Sequence, residues 1–199
     1  MKKIILSVLF ILSLSFSFSQ SFMHGAGVGI FVLNSPGSTT TGAFALGYSP
    51  RFNFVETDAL SISVGVPINA GISGSYYAEY NSYYGGYENN TLKAFINVPA
   101  MLNLNVGAGS THENESRFGF FAGGGYGLHY GDMGKTVVDS YGYETYVKNY
   151  AASFGPAGNA GVRIAVGSHQ KNIEIRLSYM KISGDTKLDV YGANVYFNF

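Results

Sequence analysis

The sequence predicts an all-β fold, an eight-stranded antiparallel up-and-down transmembrane β-barrel. Three observations lead there. Along most of the chain, apolar residues alternate with small or polar ones at period two, the mark of strands with two unlike faces. Charged residues make up 12% of the 199 positions, about half the ~25% usual in soluble domains; 27 glycines, 16 tyrosines and 15 phenylalanines stand out in the composition. Beyond residue 20 no stretch approaches a membrane helix. A chain without one crosses a bilayer only as a closed barrel, because lipid offers the backbone no hydrogen-bond partners.

Residues 1–19 read as a signal peptide and residues 20–199 as one barrel domain. Lys2 and Lys3 precede an apolar run, Ile4 to Phe18, broken only by serines. Ser17 and Ser19 are small residues at −3 and −1 to a cleavage before Gln20. The run is shorter than the ~20 residues a spanning helix needs. Cysteine is absent, which excludes disulfides, thiolate metal sites and a lipid-modified cysteine anchor. A formal net charge of zero gives no electrostatic case for nucleic acid.

The expected strands follow in order. The first covers about His24–Leu33, with Ala26, Val28, Ile30 and Val32 on one face and Gly25, Gly27, Gly29 and Phe31 on the other. The second covers about Gly42–Val55, where Phe44, Leu46, Tyr48, Pro50, Phe52 and Phe54 alternate with Ala45, Gly47, Ser49, Arg51 and Asn53. Glu56-Thr57-Asp58 reads as a short turn. The third runs from Leu60 to Ile72, and a long polar segment from Ser73 to Thr91 separates it from the fourth, about Leu92–Val106. Gly107 to Ser116 is a polar connection, long for its place. The fifth strand is Arg117–Tyr130, followed by a second long loop to Lys148. The sixth is about Asn149–Val166 and the seventh about Asn172–Ile182. The last is the clearest: from Tyr191 to Phe199, odd positions are Tyr, Ala, Val, Phe and Phe, while even ones are Gly, Asn, Tyr and Asn. An even number of strands brings both termini to one end of the barrel.

Alternation alone also fits a soluble barrel whose apolar face points inward. The polar face decides against that. It is mostly Gly, Ala, Ser and Asn rather than the Lys and Glu that water-facing strands carry, and small side chains suit the cramped interior of eight strands. The aromatics of the apolar face also sort by height. Phe52, Phe54, Phe118, Phe120, Phe197 and Phe199 gather toward the end holding the termini; Phe44, Tyr126, Tyr130, Tyr150, Tyr179 and Tyr191 gather toward the other. Two girdles around an aliphatic middle match a lipid-facing band.

Candidate chemistry is sparse. The inward charges Arg51, Arg163, Glu174 and Arg176 cluster in the half near the termini. A lone charge in a narrow lumen is costly, so Glu174 is expected within ~4 Å of an arginine. The network either plugs the barrel or lines a cationic constriction. Tyr76, Tyr77, Tyr80, Tyr83, Tyr84 and Tyr87 fall in the first long polar segment among Ser, Gly and Asn. That mixture suits a recognition surface; the alternative is that these residues prolong the neighbouring strands or the aromatic girdle. His129, Asp132 and Ser178 are expected near one height but at no spacing that supports a triad. Gly123-Gly124-Gly125 lacks the Lys-Ser/Thr of a phosphate loop; its inward glycines are expected to make room for Phe31, Phe95 or Phe121. No cofactor or metal motif is present, and no enzyme is expected.

Signal peptide, eight alternating strands, girdles and terminal Phe199 together make the chain resemble the small outer-membrane β-barrel proteins of Gram-negative bacteria, the OmpX and OmpA-barrel type common in Bacteroidetes. The resemblance covers the whole segment after the signal peptide, and its motifs are generic. It implies an integral outer-membrane location with periplasmic termini and outer-membrane lipid around the barrel. It also implies that Tyr191, Val195, Phe197 and Phe199 form the signal read by the barrel-assembly machinery. The function it implies is a non-enzymatic anchor that presents extracellular loops to an unidentified surface partner or supports envelope integrity. A small pore for ions or solutes is the alternative. A lipid-A-modifying enzyme using His129 is a distant third.

Overall fold

The computed structural model of the protein describes residues 21–35, 40–81, 85–111, 114–132, 135–138, 144–147, 149–167, 171–183 and 187–199. The expected signal peptide and its cleavage point lie outside them. The strands are β1 (Ser21–Asn34), β2 (Thr41–Glu56), β3 (Leu60–Gly65), β4 (Ile68–Asn81), β5 (Gly85–Gly107), β6 (Phe118–Asp132), β7 (Lys135–Val138), β8 (Glu144–Val147), β9 (Tyr150–Ala165), β10 (Asn172–Ile182) and β11 (Leu188–Asn198). All but β7 and β8 close an antiparallel up-and-down ring of 8 hydrogen-bonded strand positions. β1 seals it, pairing with β2 from Ser21↔Asn53 to Leu33↔Thr41 and with β11 from Gly25↔Asn198 to Asn34↔Asp189. The last residue continues that seam: the Phe199 N–H donates to the His24 carbonyl at 2.9 Å.

β3 and β4 share one position in the ring. Val66 and Pro67 lie between them; Pro67 has no N–H to give the ladder, and Val66 donates to the Pro50 carbonyl at 3.1 Å. In β2, a bulge lies between Asn53 and Val55: Asn53 opposes Ser63 and Val55 opposes Ile62, which leaves Phe54 unpaired. Past an extra residue the side-chain phase reverses. Val55 therefore faces outward, 37% exposed, in place of the expected Phe54, and Glu56 opposes the fully buried Ser61.

Two expected loops are ordered differently. Ser73 to Thr91 is not a loop. β4 continues to Asn81 and β5 begins at Gly85, paired from Gly74↔Leu92 to Asn81↔Gly85. β4 leaves β2 at Ser73, and β5 leaves β6 at Phe95. The hairpin therefore stands beyond the ring by roughly 25 Å at ~3.3 Å per residue. In the second long loop, β7 and β8 form a two-stranded sheet of their own, from Lys135↔Val147 to Val138↔Glu144.

The outside of the ring is apolar. Ile30, Leu46 and Leu177 are each 63% exposed, Phe118 is 62% and Phe197 is 44%. His24 joins the terminal girdle, its ring 5.2 Å from Phe22 and 5.1 Å from Phe199. Tyr48, which sits between the girdles, reaches the same cluster through a 3.3 Å hydrogen bond between its hydroxyl and His24 Nδ1.

Candidate functional site

The lumen is the best-defined functional candidate, and it is built in two layers. At the end holding the termini the strands place polar side chains inward from every side. Arg51, Arg163, Glu174 and Arg176 are all buried here, with at most 7% of their surface exposed. Register explains the meeting: Glu174 and Arg163 face each other on neighbouring strands, and Arg176 is the next inward residue after Glu174. Arg163 Nε donates to Glu174 Oε2 at 2.7 Å, and Arg176 Nε donates to Oε1 at 2.8 Å. Asn198 Nδ2 adds a third donor at 3.2 Å. A carboxylate this deep needs such neighbours, because an uncompensated buried charge costs several kcal/mol.

The arginines are held in turn. Asn105 Oδ1 accepts from Arg163 Nη1 at 3.0 Å and from Arg51 Nη1 at 3.2 Å. Arg176 Nη2 donates to Ser49 Oγ at 3.0 Å. The Arg163 guanidinium lies 4.3 Å from the Phe121 ring centre, and that of Arg176 lies 4.8 Å from the Tyr196 ring centre. These faces favour a cation.

Two contributors to this layer escape a reading of the sequence. Glu56 turns inward because of the bulge; it accepts from Asn53 Nδ2 at 2.8 Å and from the Ser21 hydroxyl. The other is the connection after β5. Gly107 and Gly109 have φ of 76° and 65°, the left-handed values that glycine adopts without penalty. The turn folds back under the barrel, burying Ala108, Ser110 and Thr111. Its carbonyls meet the polar layer: Arg51 Nη2 donates to Gly109 O at 2.6 Å and Asn53 Nδ2 to Ser110 O at 2.8 Å. Its unusual length thus has a use, since the segment caps the lumen.

Toward the hairpin end the filling becomes apolar. Phe31, Ala45, Phe95, Met180, Ile182, Leu188 and Val190 form one buried cluster. The rings of Phe31 and Phe95 meet edge-on at 5.4 Å, and His129 stacks on Phe95 at 5.8 Å. Glycines make the space. A Cβ at Gly192 would lie 2.7 Å from Phe31 and one at Gly71 as close to Phe95 Cζ; in the polar layer, one at Gly161 would lie 2.6 Å from Phe121. The expected role of Gly123 and Gly125 is therefore corrected: Gly123 clears Asn103, and Gly125 lies against the backbone of Ala100 and Met101. Between the layers a pocket bordered by Asn97, Asn159, Asn194 and Arg176 leaves about 20 Å³ for solvent, space for about one water.

His129, Asp132 and Ser178 do not assemble. His129 shares its rung on β9 with Ser153, and Ser178 shares its rung with Asn159. At ~3.3 Å per residue the two rungs lie roughly 20 Å apart along the strand, which corrects the expectation of one height. Asp132 pairs with Lys93 at 3.7 Å and accepts from the Asn149 N–H at 3.0 Å. Among the described residues no group of acidic, histidine or cysteine side chains is arranged to hold a metal.

Tyr191, Val195 and Phe197 on β11 and Phe199 just after it all point outward, 44–56% exposed. Tyr76, Tyr77, Tyr80 and Tyr87 lie on the projecting hairpin, at rungs with Asn90, Asn89, Gly86 and Glu79. Tyr83 and Tyr84 lie outside the described residues.

No protein-family model matches this sequence, and no curated protein does. Solved structures do. Neisserial surface protein A is similar over 91% of this chain and 98% of its own, at 14% identity and a TM-score of 0.55. Ail, the attachment invasion locus protein of Yersinia pestis, is similar over 90% of this chain and 98% of its own, at 9% identity and a TM-score of 0.50. The chain has the fold of the small eight-stranded outer-membrane β-barrels.

Proposed function

We propose that this chain is an integral outer-membrane barrel that conducts nothing and serves as a non-enzymatic anchor for its projecting hairpin. The observation that carries the reading is a lumen crossed by a buried ion network and a packed apolar cluster inside an apolar exterior. Such an exterior is stable only in lipid, so the surrounding partner is outer-membrane lipid. Inside lie a buried ion network capped by the 107–111 turn and a packed aromatic layer, and a pocket between them has room for about one water.

The orientation follows the barrel class: termini and short turns to the periplasm, hairpin outside. There the β4–β5 ladder carries Tyr76, Tyr77, Tyr80 and Tyr87 beyond the ring, and among the described residues neither strand pairs with another neighbour past Ser73 and Phe95. Contact with a surface partner, or bracing of the envelope, is the role this supports. Residues 1–19 serve export, and the outward aromatic ending of β11 serves recognition by the barrel-assembly machinery.

Planar-bilayer conductance of the refolded protein tests the closed lumen. A folded, silent barrel is expected. Stable openings that change with Arg51→Ala or Arg176→Ala would instead establish a pore. Replacing residues 75–91 by Asn-Gly tests the hairpin: the barrel should keep its thermal stability within a few degrees while cells lose surface binding or envelope resistance. Cells that behave as wild type would remove the hairpin from the function.

A further inference from the structure

The lumen holds more positive than negative charge. Among the described residues, Arg51, Arg163 and Arg176 are buried with Glu174, and Glu56 stands half-buried at the mouth. Three guanidinium groups thus meet two carboxylates. The remaining charges do not correct the balance. Lys93 and Asp132, at the hairpin end, pair with each other. Asp58, Glu115, Arg117 and Lys171 are exposed, two of each sign, at the end holding the termini. Lys181 and Asp189 share a rung on the outer face at the opposite end, and Lys187 is exposed beside them. Glu174 is divided between Arg163 and Arg176. Arg51 donates to neutral atoms, Asn105 Oδ1, Gly109 O and Met23 Sδ. A buried cation without its anion is costly.

The unused donors point to where an anion fits. Among the described residues, Arg51 Nε and Arg176 Nη1 have no acceptor. Arg176 borders the pocket of about 20 Å³ between the layers, together with Asn97, Asn159 and Asn194. Register brings them there: Asn194 shares its rung with Arg176, and Asn159 shares that of Ser178, the next inward residue of β10. All four side chains are buried, at most 8% exposed. The Oδ1 atoms of the three asparagines have no hydrogen-bond partner either. A carbonyl oxygen does not suit an anion, but an amide that turns over presents its Nδ2 donors instead, and here the turn breaks no hydrogen bond of the oxygen.

We propose that this pocket binds one small monovalent anion of the size of chloride, held by Arg176 Nη1 and the Nδ2 groups of Asn97, Asn159 and Asn194. A water would also satisfy these atoms, but it would leave the third guanidinium charge uncompensated. The volume, close to that of one water, excludes phosphate and sulfate. The inference rests on the lumen and not on what the hairpin meets.

Crystals of the refolded barrel grown in sodium bromide test it at the bromine absorption edge. One anomalous peak is expected in the pocket, within hydrogen-bond reach of Arg176. In solution, each tenfold rise in chloride through the saturating range should lower the urea unfolding constant about tenfold, while gluconate at the same ionic strength, too large for the pocket, should leave it unchanged. Asn194→Asp puts a carboxylate on the rung of Arg176 and supplies the anion from within. The bromide peak and the chloride dependence should both vanish in a barrel that still folds, and Asn159→Asp takes its place if the first variant refolds poorly. A pocket holding water with no anomalous signal, or bromide on the outer surface only, would overturn the proposal. So would an equal response to gluconate, or a chloride response unchanged in both aspartate variants. Stable anion current across a planar bilayer would instead overturn the closed lumen, with the bromide site still read on its own.

Discussion

The two layers of the lumen occupy the same kind of space and fill it by opposite means. Near the termini, inward positions carry Arg51, Arg163, Glu174 and Arg176, and each charge is tied to a partner on another strand or to the capping turn. Toward the hairpin, inward positions carry Phe31, Phe95, Met180 and Val190, which need only volume. Eight strands allow either solution, because the interior is only wide enough for side chains. The difference lies in how each layer fails. A polar layer fails when one member loses its charge, since its partners stay buried and unpaired. An apolar layer fails by degrees, according to the volume lost or added.

The largest expected effect breaks the polar layer. Glu174→Gln keeps the shape but leaves Arg163 and Arg176 facing a neutral amide. It should cost about 3–5 kcal/mol, seen as a lower urea midpoint by circular dichroism in lipid vesicles. A loss under about 1 kcal/mol would mean that the arginines find other anions, and the layer would not depend on this carboxylate. Phe31→Ala is the matching cut in the apolar layer. It should cost about 3 kcal/mol, at the low end of the ~3–5 usual for a buried phenylalanine, because the flexible Met180 in the same cluster can shift into part of the space. An equal or larger loss than that of Glu174→Gln would reverse the ranking of the layers.

Legibility in the sequence divides along related lines. Strand number, facing and closure were readable because period-two alternation is local; the inward phase of Arg51, Arg163, Glu174 and Arg176 followed from it, and so did the closeness of Arg163 and Glu174 across one short turn. What depended on a single backbone event was hidden. One extra residue at Phe54 reverses the phase and brings Glu56 inside, and nothing in Phe-Val-Glu announces it. The capping turn after β5 left a faint trace, a connection too long for its place with glycines at 107 and 109. For the tyrosine-rich segment composition left a recognition loop and prolonged strands both open, and the backbone takes the second. Its Ser, Gly, Asn and Tyr suit a loop as well as a hairpin, and without alternating apolar residues they do not mark strand phase. The apolar inner layer was legible in part, in the inward phase of Phe31 and in the expectation that inward glycines make room for Phe31, Phe95 or Phe121.

A smaller change sharpens the comparison at the layer that depends on volume. Gly192→Ala adds a methyl 2.5 Å from Ser178 Oγ and 2.7 Å from Phe31 Cε1, so the hydroxyl must turn away and the ring must move or the strand must give. Overpacking of this kind costs about 1–3 kcal/mol. Gly192→Ala combined with Phe31→Leu should recover part of that loss in the same urea titration. Additive losses would mean that the glycine is needed for Ser178 or for the backbone of β11 rather than for the ring.

The smallest expected effect tests the bulge. Glu56 sits at the mouth of the polar layer, half-buried, where water reaches it and screens its charge. Its hydrogen bonds to Asn53 and the Ser21 hydroxyl can be kept in part by an amide. Glu56→Gln should therefore cost about 1 kcal/mol, well below Glu174→Gln, although both remove one carboxylate from one layer. The ratio between the two is the informative quantity. If Glu56→Gln costs as much as Glu174→Gln, the mouth is as dry as the interior, and the 107–111 turn seals the lumen more tightly than its exposed margin indicates. If it costs nothing, even at low salt, the inward turn of Glu56 is a consequence of the bulge with no energetic role. The bulge would then be needed for the bend it puts into β2 beside the capping turn rather than for the carboxylate it carries inward.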